Sequence, residues 1–168
     1  TSDEDGGWSS KIPIDSSKKY RFSVWAKRSV VGNGLFFMGC DSVESVDGVT
    51  QVNPYWHIVG AGSANGQMQT EWQLFVYYVF PTTYTGVEEP TQGVYKVGQG
   101  KVHPGSISRY WASPLRWNPG ATDVNFRTYL YYSTDPNTRQ EWCYPRVDLC
   151  DGTEPSIDEL LSGYDSRN

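Results

Sequence analysis

Short stretches of alternating apolar and polar residues run along most of this chain, and clusters of turn residues separate them. Alternation with a period of two places successive side chains on opposite faces of a strand, so each stretch predicts a β-strand. The breaks are rich in Gly, Pro, Asn, Asp and Ser, as in the segment from Asn118 to Gly120. Strands are predicted over residues 8–14, 19–27, 34–40, 55–60, 71–80, 93–97, 125–132 and 140–149.

The C-terminal segment predicts a short helix over residues 155–163, with Ser156 as N-cap and Gly163 just past its end. The spacing of the strands is typical of an all-β fold, an antiparallel β-sandwich of the jelly-roll type. A length of 168 residues suits one domain over residues 1–168. The loop over residues 81–95 is long, and binding surfaces are commonly built from such loops.

Three of the predicted strands carry arginine together with Trp or Tyr on a single face. Strict alternation assigns these residues: Arg21 and Trp25 in the first strand, Arg127 and Tyr129 in the second, and Trp142, Tyr144, Arg146 and Asp148 in the third. The core of the sandwich is expected to contain Phe22, Leu74, Leu130 and Val147.

These arginine and aromatic faces have two interpretations. Aromatic rings pack on the C–H face of a pyranose, and arginine bonds sugar hydroxyl or carboxylate groups. In this interpretation the sugar-binding residues are Trp25, Trp142, Tyr144 and Tyr129 as platforms, with Arg21, Arg127 and Arg146 as ligands. In the other interpretation the aromatics form a second, smaller core under the loops or the C-terminal helix, with each arginine as a salt-bridged cover.

Composition and charge restrict the partners. The 7 Trp, 12 Tyr and 6 Phe residues exceed what one sheet face needs, which favours a flat ligand or a covering segment. A net charge of −5 with scattered basic residues argues against nucleic acid, and the apolar runs are too short to span a bilayer. Because the chain lacks an initiator Met, we expect a module of a larger multidomain protein, with the helix leading to the next segment.

Motifs for catalysis are weak. His57 and His103 have no recognisable ligand spacing, and nothing in the sequence selects a pair of carboxylates for glycoside hydrolysis. We therefore expect no enzyme activity. Of the three cysteines, any disulfide should involve Cys40, because Cys143 and Cys150 are too far apart along one strand; three buried thiols are the alternative.

Parts of the chain resemble a known family. The segment from Gly7 to Lys27, which contains Tyr-Arg-Phe-Ser-Val-Trp, resembles two strands of jelly-roll carbohydrate-binding modules of families four, nine and twenty-two. The segments Glu141–Leu149 and Arg127–Ser133 are similar to the last two strands of that fold. The run Asp-Gly-Thr-Glu-Pro-Ser-Ile starting at Asp151 looks like glycan-binding or adhesive modules of bacterial surface and phage tail proteins. About a third of the chain matches.

The resemblance implies a non-catalytic glycan-binding module for adhesion or for substrate or host targeting, extracellular, on a cell surface or virion-associated. It also implies a structural Ca²⁺, for which Asp3, Asp5 and Asp148 offer carboxylates, although Pro145-Arg146 stands where relatives carry an acidic pair. Expected partners are a glycan or polysaccharide and neighbouring domains of the parent protein. The competing hypothesis is a structural or assembly β-sandwich of a surface or virion protein that binds protein rather than sugar.

Overall fold

The computed structural model describes residues 6–30, 34–46, 55–60, 70–87, 89–103, 114–131 and 133–165, and only the backbone of residues 55–60, 131, 164 and 165. Two β-sheets face each other, and one short helix follows the last strand. The predicted fold class, an all-β sandwich with a short C-terminal helix, is confirmed. No helix in these ranges is long and apolar enough to cross a membrane.

The strands in chain order are β1 (Gly6–Pro13), β2 (Tyr20–Val30), β3 (Leu35–Cys40), β4 (Val43–Ser45), β5 (Tyr55–Gly60), β6 (Gln73–Phe80), β7 (Gly93–Lys96), β8 (Gly100–His103), β9 (Leu115–Trp117), β10 (Asp123–Tyr131) and β11 (Arg139–Leu149), followed by the helix α1 (Ile157–Asp165). All the predicted strands are present. The strands β4, β8 and β9 were not predicted. Strands β4 and β9 have three residues each, which are too few to show an alternation.

One sheet has the strand order β1-β10-β3-β5, and the other has the order β11-β2-β6-β7-β8. Strand β9 joins the larger sheet beside β6 and pairs in turn with β4. Neighbouring strands run antiparallel except β6 and β9, which are parallel. We refer to the two as the four-stranded and the seven-stranded sheet.

The main core fills the space between the sheets. Alternate residues of β2, among them Phe22 and Val24, are fully buried there. Phe22 meets Phe126 of the opposite sheet edge to face, with ring centroids 5.1 Å apart. Trp117 is also fully buried, and its indole N–H donates to the backbone oxygen of Lys18 at 2.9 Å. The aromatic content of the chain is thus used first to fill this layer.

A second apolar cluster lies on the other face of the seven-stranded sheet. It contains Trp25, Leu74, Val76, Tyr78, Phe80 and Tyr95, with Ile157, Leu160 and Leu161 of α1 packed against it. Every residue of β6 is buried, so this strand is covered on both faces. Leu74 therefore lies in the second cluster. The expectation that it belongs to the main core with Phe22 is wrong.

Strand β11 contains a β-bulge that changes which residues share a face. Cys143 pairs with Trp25 and Arg146 pairs with Ser23, so β11 has one residue more than β2 between these two points. Tyr144 in the bulge has a φ of 50°. The extra residue reverses the alternation, so that Trp142 packs against the main core while Arg146 is on the opposite face. The prediction that these two side chains share a face is wrong.

Ser156 is the N-cap of α1, as predicted. Its hydroxyl accepts the backbone N–H of Glu159 at 3.1 Å, and the Glu159 carboxylate accepts the N–H of Ser156 at 2.7 Å. The predicted end is wrong, because the helix continues through Gly163 to Asp165. Cys40 and Cys150 are free thiols, and Cys40 is buried in the main core, so the disulfide expected to involve Cys40 is not present.

The first testable consequence concerns Trp25, which is only 3% exposed and belongs to the cluster against which α1 packs. Replacing it with Ala removes a large buried side chain, and we expect the free energy of unfolding to fall by about 3–5 kcal/mol. Urea denaturation measures this, and Leu149→Ala at the exposed edge serves as the control, with a loss below about 1 kcal/mol. A similarly small loss for Trp25→Ala would contradict its place in a second core.

The second consequence concerns the left-handed backbone at Tyr144. An L side chain is strained there and glycine is not. The free energy of unfolding of Tyr144→Gly should therefore be about 1 kcal/mol higher than that of Tyr144→Ala. At Glu141, an extended position of the same strand, the order should be reversed, with Ala above Gly by about 0.5–1 kcal/mol. Equal stabilities of the two Tyr144 variants would show that the bulge carries no such strain.

Candidate functional site

A groove of about 530 Å³ opens where the seven-stranded sheet meets the segment that leads into α1. Its size falls within the range of small-ligand sites in proteins. The groove is lined by Arg21, Tyr78, Thr91, Tyr95 and the consecutive residues from Glu154 to Glu159. It lies at the N-terminal end of α1, where the helix no longer covers the outer face of the sheet.

Two tyrosines and a threonine form one side of the groove. The hydroxyl groups of Tyr78 and Thr91 are 2.8 Å apart, and the Tyr95 hydroxyl donates to the Thr91 backbone oxygen at 2.6 Å. Burial raises the pKa of Tyr95 to about 12, and the negative charges of Asp158 and Glu89 add to this, so the phenol is protonated at neutral pH. Thr91 belongs to the long loop over residues 81–95, and these bonds fix it to the sheet.

The floor contains a nearly buried ion pair. The Arg21 guanidinium donates to Asp148 Oδ2 through Nη2 at 2.9 Å and through Nε at 3.3 Å. Arg146 donates to the other oxygen of the same carboxylate at 2.7 Å. Burial alone would raise the pKa of Asp148, but the hydrogen bonds and charges of Arg146 and Arg21 outweigh it and hold this pKa below its usual value.

Carboxylates dominate the wall formed by residues 154–159. Glu154 accepts the backbone N–H groups of Asp151 at 3.1 Å and Gly152 at 2.7 Å, and Glu159 belongs to the capping box. Hydrogen bonds from backbone N–H groups, its own first, lower the pKa of Glu154, and the bonds from Ser156 lower that of Glu159. Asp158 is exposed in the first turn of α1. The wall therefore carries negative charge at neutral pH.

A lysine lies close behind the groove but is already paired. Lys19 forms an ion pair with Glu89, and its ammonium group lies 4.7 Å from the centre of the Tyr78 ring. Burial alone would raise the pKa of Glu89, but the bond and charge of Lys19 outweigh this and keep it below its usual value. Lys19 and Arg21 are thus each paired with a carboxylate, and Arg146 shares Asp148 with Arg21.

The structure distributes the sugar-binding residues predicted from the sequence over several places. Arg21 is in the groove floor, and Arg146 is beside it on Asp148. Trp25 is in the second core, and Trp142 packs against the main core. Arg21 and Trp25 therefore fit the second-core interpretation, in which the aromatics are covered and the arginine is ion-paired.

The remaining predicted residues lie elsewhere. Tyr144 is 42% exposed at the bulge of β11. Arg127 and Tyr129 lie on the outer face of the four-stranded sheet, because Phe126 and Thr128, which alternate with them, are buried in the core. The Tyr129 ring is stacked on Phe37 with centroids 5.2 Å apart. The predicted residues therefore do not form one continuous surface.

The residues predicted for calcium are not brought together in the described part of the chain. Asp3 and Asp5 lie outside the described residues. Asp148 is occupied by Arg21 and Arg146. Within the described ranges no group of three His, Cys, Asp or Glu residues could hold a metal ion.

Sequence reasoning missed most of the groove. Tyr78 and Tyr95 follow the ordinary strand alternation, and Glu154 and Asp158 read as helix-start residues. The one signal was the length of the loop over residues 81–95, which supplies Thr91 and leads into Tyr95. Which helix end lies above this loop depends on tertiary packing alone.

Comparison with protein-family models, with curated proteins and with solved structures gave no match to this chain. The resemblance to jelly-roll carbohydrate-binding modules accordingly rests on the motifs quoted above.

The ion pair in the groove floor gives a third prediction. Because the pKa of Asp148 is lowered in the folded state, its contribution to stability is complete above its unfolded pKa of about 4 and is lost as the pH falls through the folded value. Asp148→Asn should cost about 2–3 kcal/mol at pH 7, and the difference from the wild type should shrink below about pH 4.

Urea denaturation between pH 2 and pH 7 checks this prediction. Asp123→Asn is the matched control, because Asp123 pairs with Lys11 at 3.1 Å on an exposed edge and should contribute less than about 1 kcal/mol. A difference between Asp148→Asn and the wild type that stays constant down to pH 2 would show that the pair does not titrate as described.

Proposed function

We propose that this chain is a non-catalytic glycan-binding domain and that its ligand binds in the groove at the N-terminal end of α1. The observation that carries the proposal is the chemistry of the groove. Hydroxyl, guanidinium and carboxylate groups surround a space of about 530 Å³ on a scaffold of paired strands. Few ligand classes match so dense a mixture of hydrogen-bond donors and acceptors.

A sugar matches it because each hydroxyl group both donates and accepts. The carboxylates of Glu154 and Asp158 can accept sugar O–H groups, and the Thr91 hydroxyl, which donates to Glu89 at 3.2 Å, can accept one. Tyr78 and Tyr95 are 5% and 7% exposed, so they offer a small apolar contact rather than an open stacking face. Binding is expected to be modest, since each protein–sugar bond replaces a bond to water.

The acid–base state of the groove favours binding over hydrolysis. A glycosidase needs a carboxylic acid whose pKa is raised so that it can protonate the leaving group. Hydrogen bonds lower the pKa of both Glu154 and Glu159. This supports a role of these carboxylates as hydrogen-bond acceptors.

The wider setting of the domain is part of the same proposal. We place it in an extracellular, surface-exposed or virion-associated multidomain protein, where several copies compensate for weak single-site binding. A structural Ca²⁺ bound through Asp3 and Asp5 remains a proposal that calcium titration of the folded domain would test. The competing proposal of an assembly domain expects a stable oligomer instead.

A glycan array, run with calcium and again with chelator, is the direct test of function, followed by affinity measurements on each bound glycan. Asp158→Ala removes one exposed carboxylate from the groove and should weaken binding about tenfold, which corresponds to about 1.4 kcal/mol. Asp123→Ala on the four-stranded sheet is the charge-matched control and should bind like the wild type.

Tyr129→Ala distinguishes the groove from the sheet face suggested by the sequence. We expect it to leave affinity unchanged, because Tyr129 lies on the four-stranded sheet and does not line the groove. Loss of binding in Tyr129→Ala but not in Asp158→Ala would place the ligand on that sheet. A blank array from folded protein that sediments as an oligomer would favour the assembly domain.

A further inference from the structure

The charges around the groove are unequal. Three carboxylates, those of Glu154, Asp158 and Glu159, line it together with one guanidinium, that of Arg21. Arg21 is 2% exposed and shares the single carboxylate of Asp148 with Arg146, so these three groups together add one positive charge. The space that a ligand would enter is therefore surrounded by net negative charge.

None of the three carboxylates forms an ion pair in the described part of the chain, although the charge of Arg21 contributes to the lowered pKa of Glu154. The ion pairs found there join Lys11, Lys19, Arg21, Lys27, Lys96, Arg116 and Arg146 to other acidic residues. Lys19, the nearest lysine, is paired with Glu89. A cation brought by the ligand would thus meet carboxylates that are not already neutralised.

We infer that the groove selects glycans by charge, binding those with free amino groups in preference to neutral ones and rejecting acidic ones. This inference rests on the proposed function. An ammonium group on the sugar is attracted to Glu154 and Asp158 and can donate three hydrogen bonds to them. A sugar carboxylate or sulfate meets the same residues as like charges and must also give up its water.

The expected strength of the preference for amino sugars follows from the exposure of the groove to solvent. Pairs of solvent-exposed charges change an equilibrium constant by about one- to fivefold each. With two carboxylates within the ligand's reach, amino sugars should bind about three- to tenfold more tightly than neutral sugars at low salt. The preference should diminish at 0.5 M salt, because the Debye length is then only about 4 Å.

The experiment uses an array that carries chitosan oligosaccharides, neutral cello- and manno-oligosaccharides, and oligogalacturonates and sialylated glycans. It is probed with the wild-type chain at 0.05 and 0.5 M NaCl. We expect the order amino, neutral, acidic at low salt and a narrower spread at high salt. Acidic glycans binding as tightly as neutral ones would overturn the inference.

Isosteric variants connect the preference to the groove. The double variant Glu154→Gln/Asp158→Asn removes two charges and keeps side-chain oxygen acceptors, so the preference for amino sugars should fall to within about twofold while neutral binding remains. Asp158→Asn alone should give an intermediate result, and it is the decisive variant if the double one is unstable. Asp123→Asn is the control for net charge. A preference of undiminished size in Asp158→Asn would overturn the inference.

The outcomes separate this inference from the proposed function. Acidic or neutral glycans that bind best, and whose binding Asp158→Ala weakens, would overturn the charge preference and leave the glycan-binding function in place. A folded wild-type chain that binds no glycan of any class would overturn both. The thermal midpoint of each protein shows that it is folded.

Discussion

The fold depends on one constraint, that the seven-stranded sheet has to bury both of its faces. All residues of β6 are buried, and so are those of β2 from Arg21 to Ala26. One face is covered by the four-stranded sheet, as in any sandwich. On the other face Trp25, Leu74 and Val76 belong to the second apolar cluster, and the apolar residues of α1 pack against this cluster.

Because this second face is covered, the polar residues on it must be paired with each other. Arg21 lies on the covered face, where an unpaired charge would be costly, and Asp148 of the adjacent strand accepts its hydrogen bonds. Arg146 of the same strand donates to the other oxygen of that carboxylate. The bulge in β11 makes this possible, because its extra residue turns Arg146 to the same side as Arg21. The helix is only nine residues long, so its cover ends early, and the groove forms at that end.

The groove combines features that a single strand pattern does not place together. It joins strand residues, a residue of the long loop and the first turn of a helix that follows more than fifty residues later in the chain. Several of the contributing side chains also have a structural role, as in the capping box of Ser156 and Glu159. A ligand would therefore be held by groups whose positions the fold already fixes, which keeps the entropy cost of binding low.

The sequence alone determined the fold class, eight of the strands and the start of α1, because period-two alternation and N-cap chemistry are local properties. It also correctly set Leu130 of β10 on the core face and Arg127 and Tyr129 on the other. Only the tertiary structure decided whether the outer face of each sheet is exposed to solvent or covered by another segment. Local alternation cannot distinguish the two for Trp25, and it cannot anticipate the bulge that separates Trp142 from Arg146. The groove likewise depends on where α1 docks, a choice made by contacts distant in sequence.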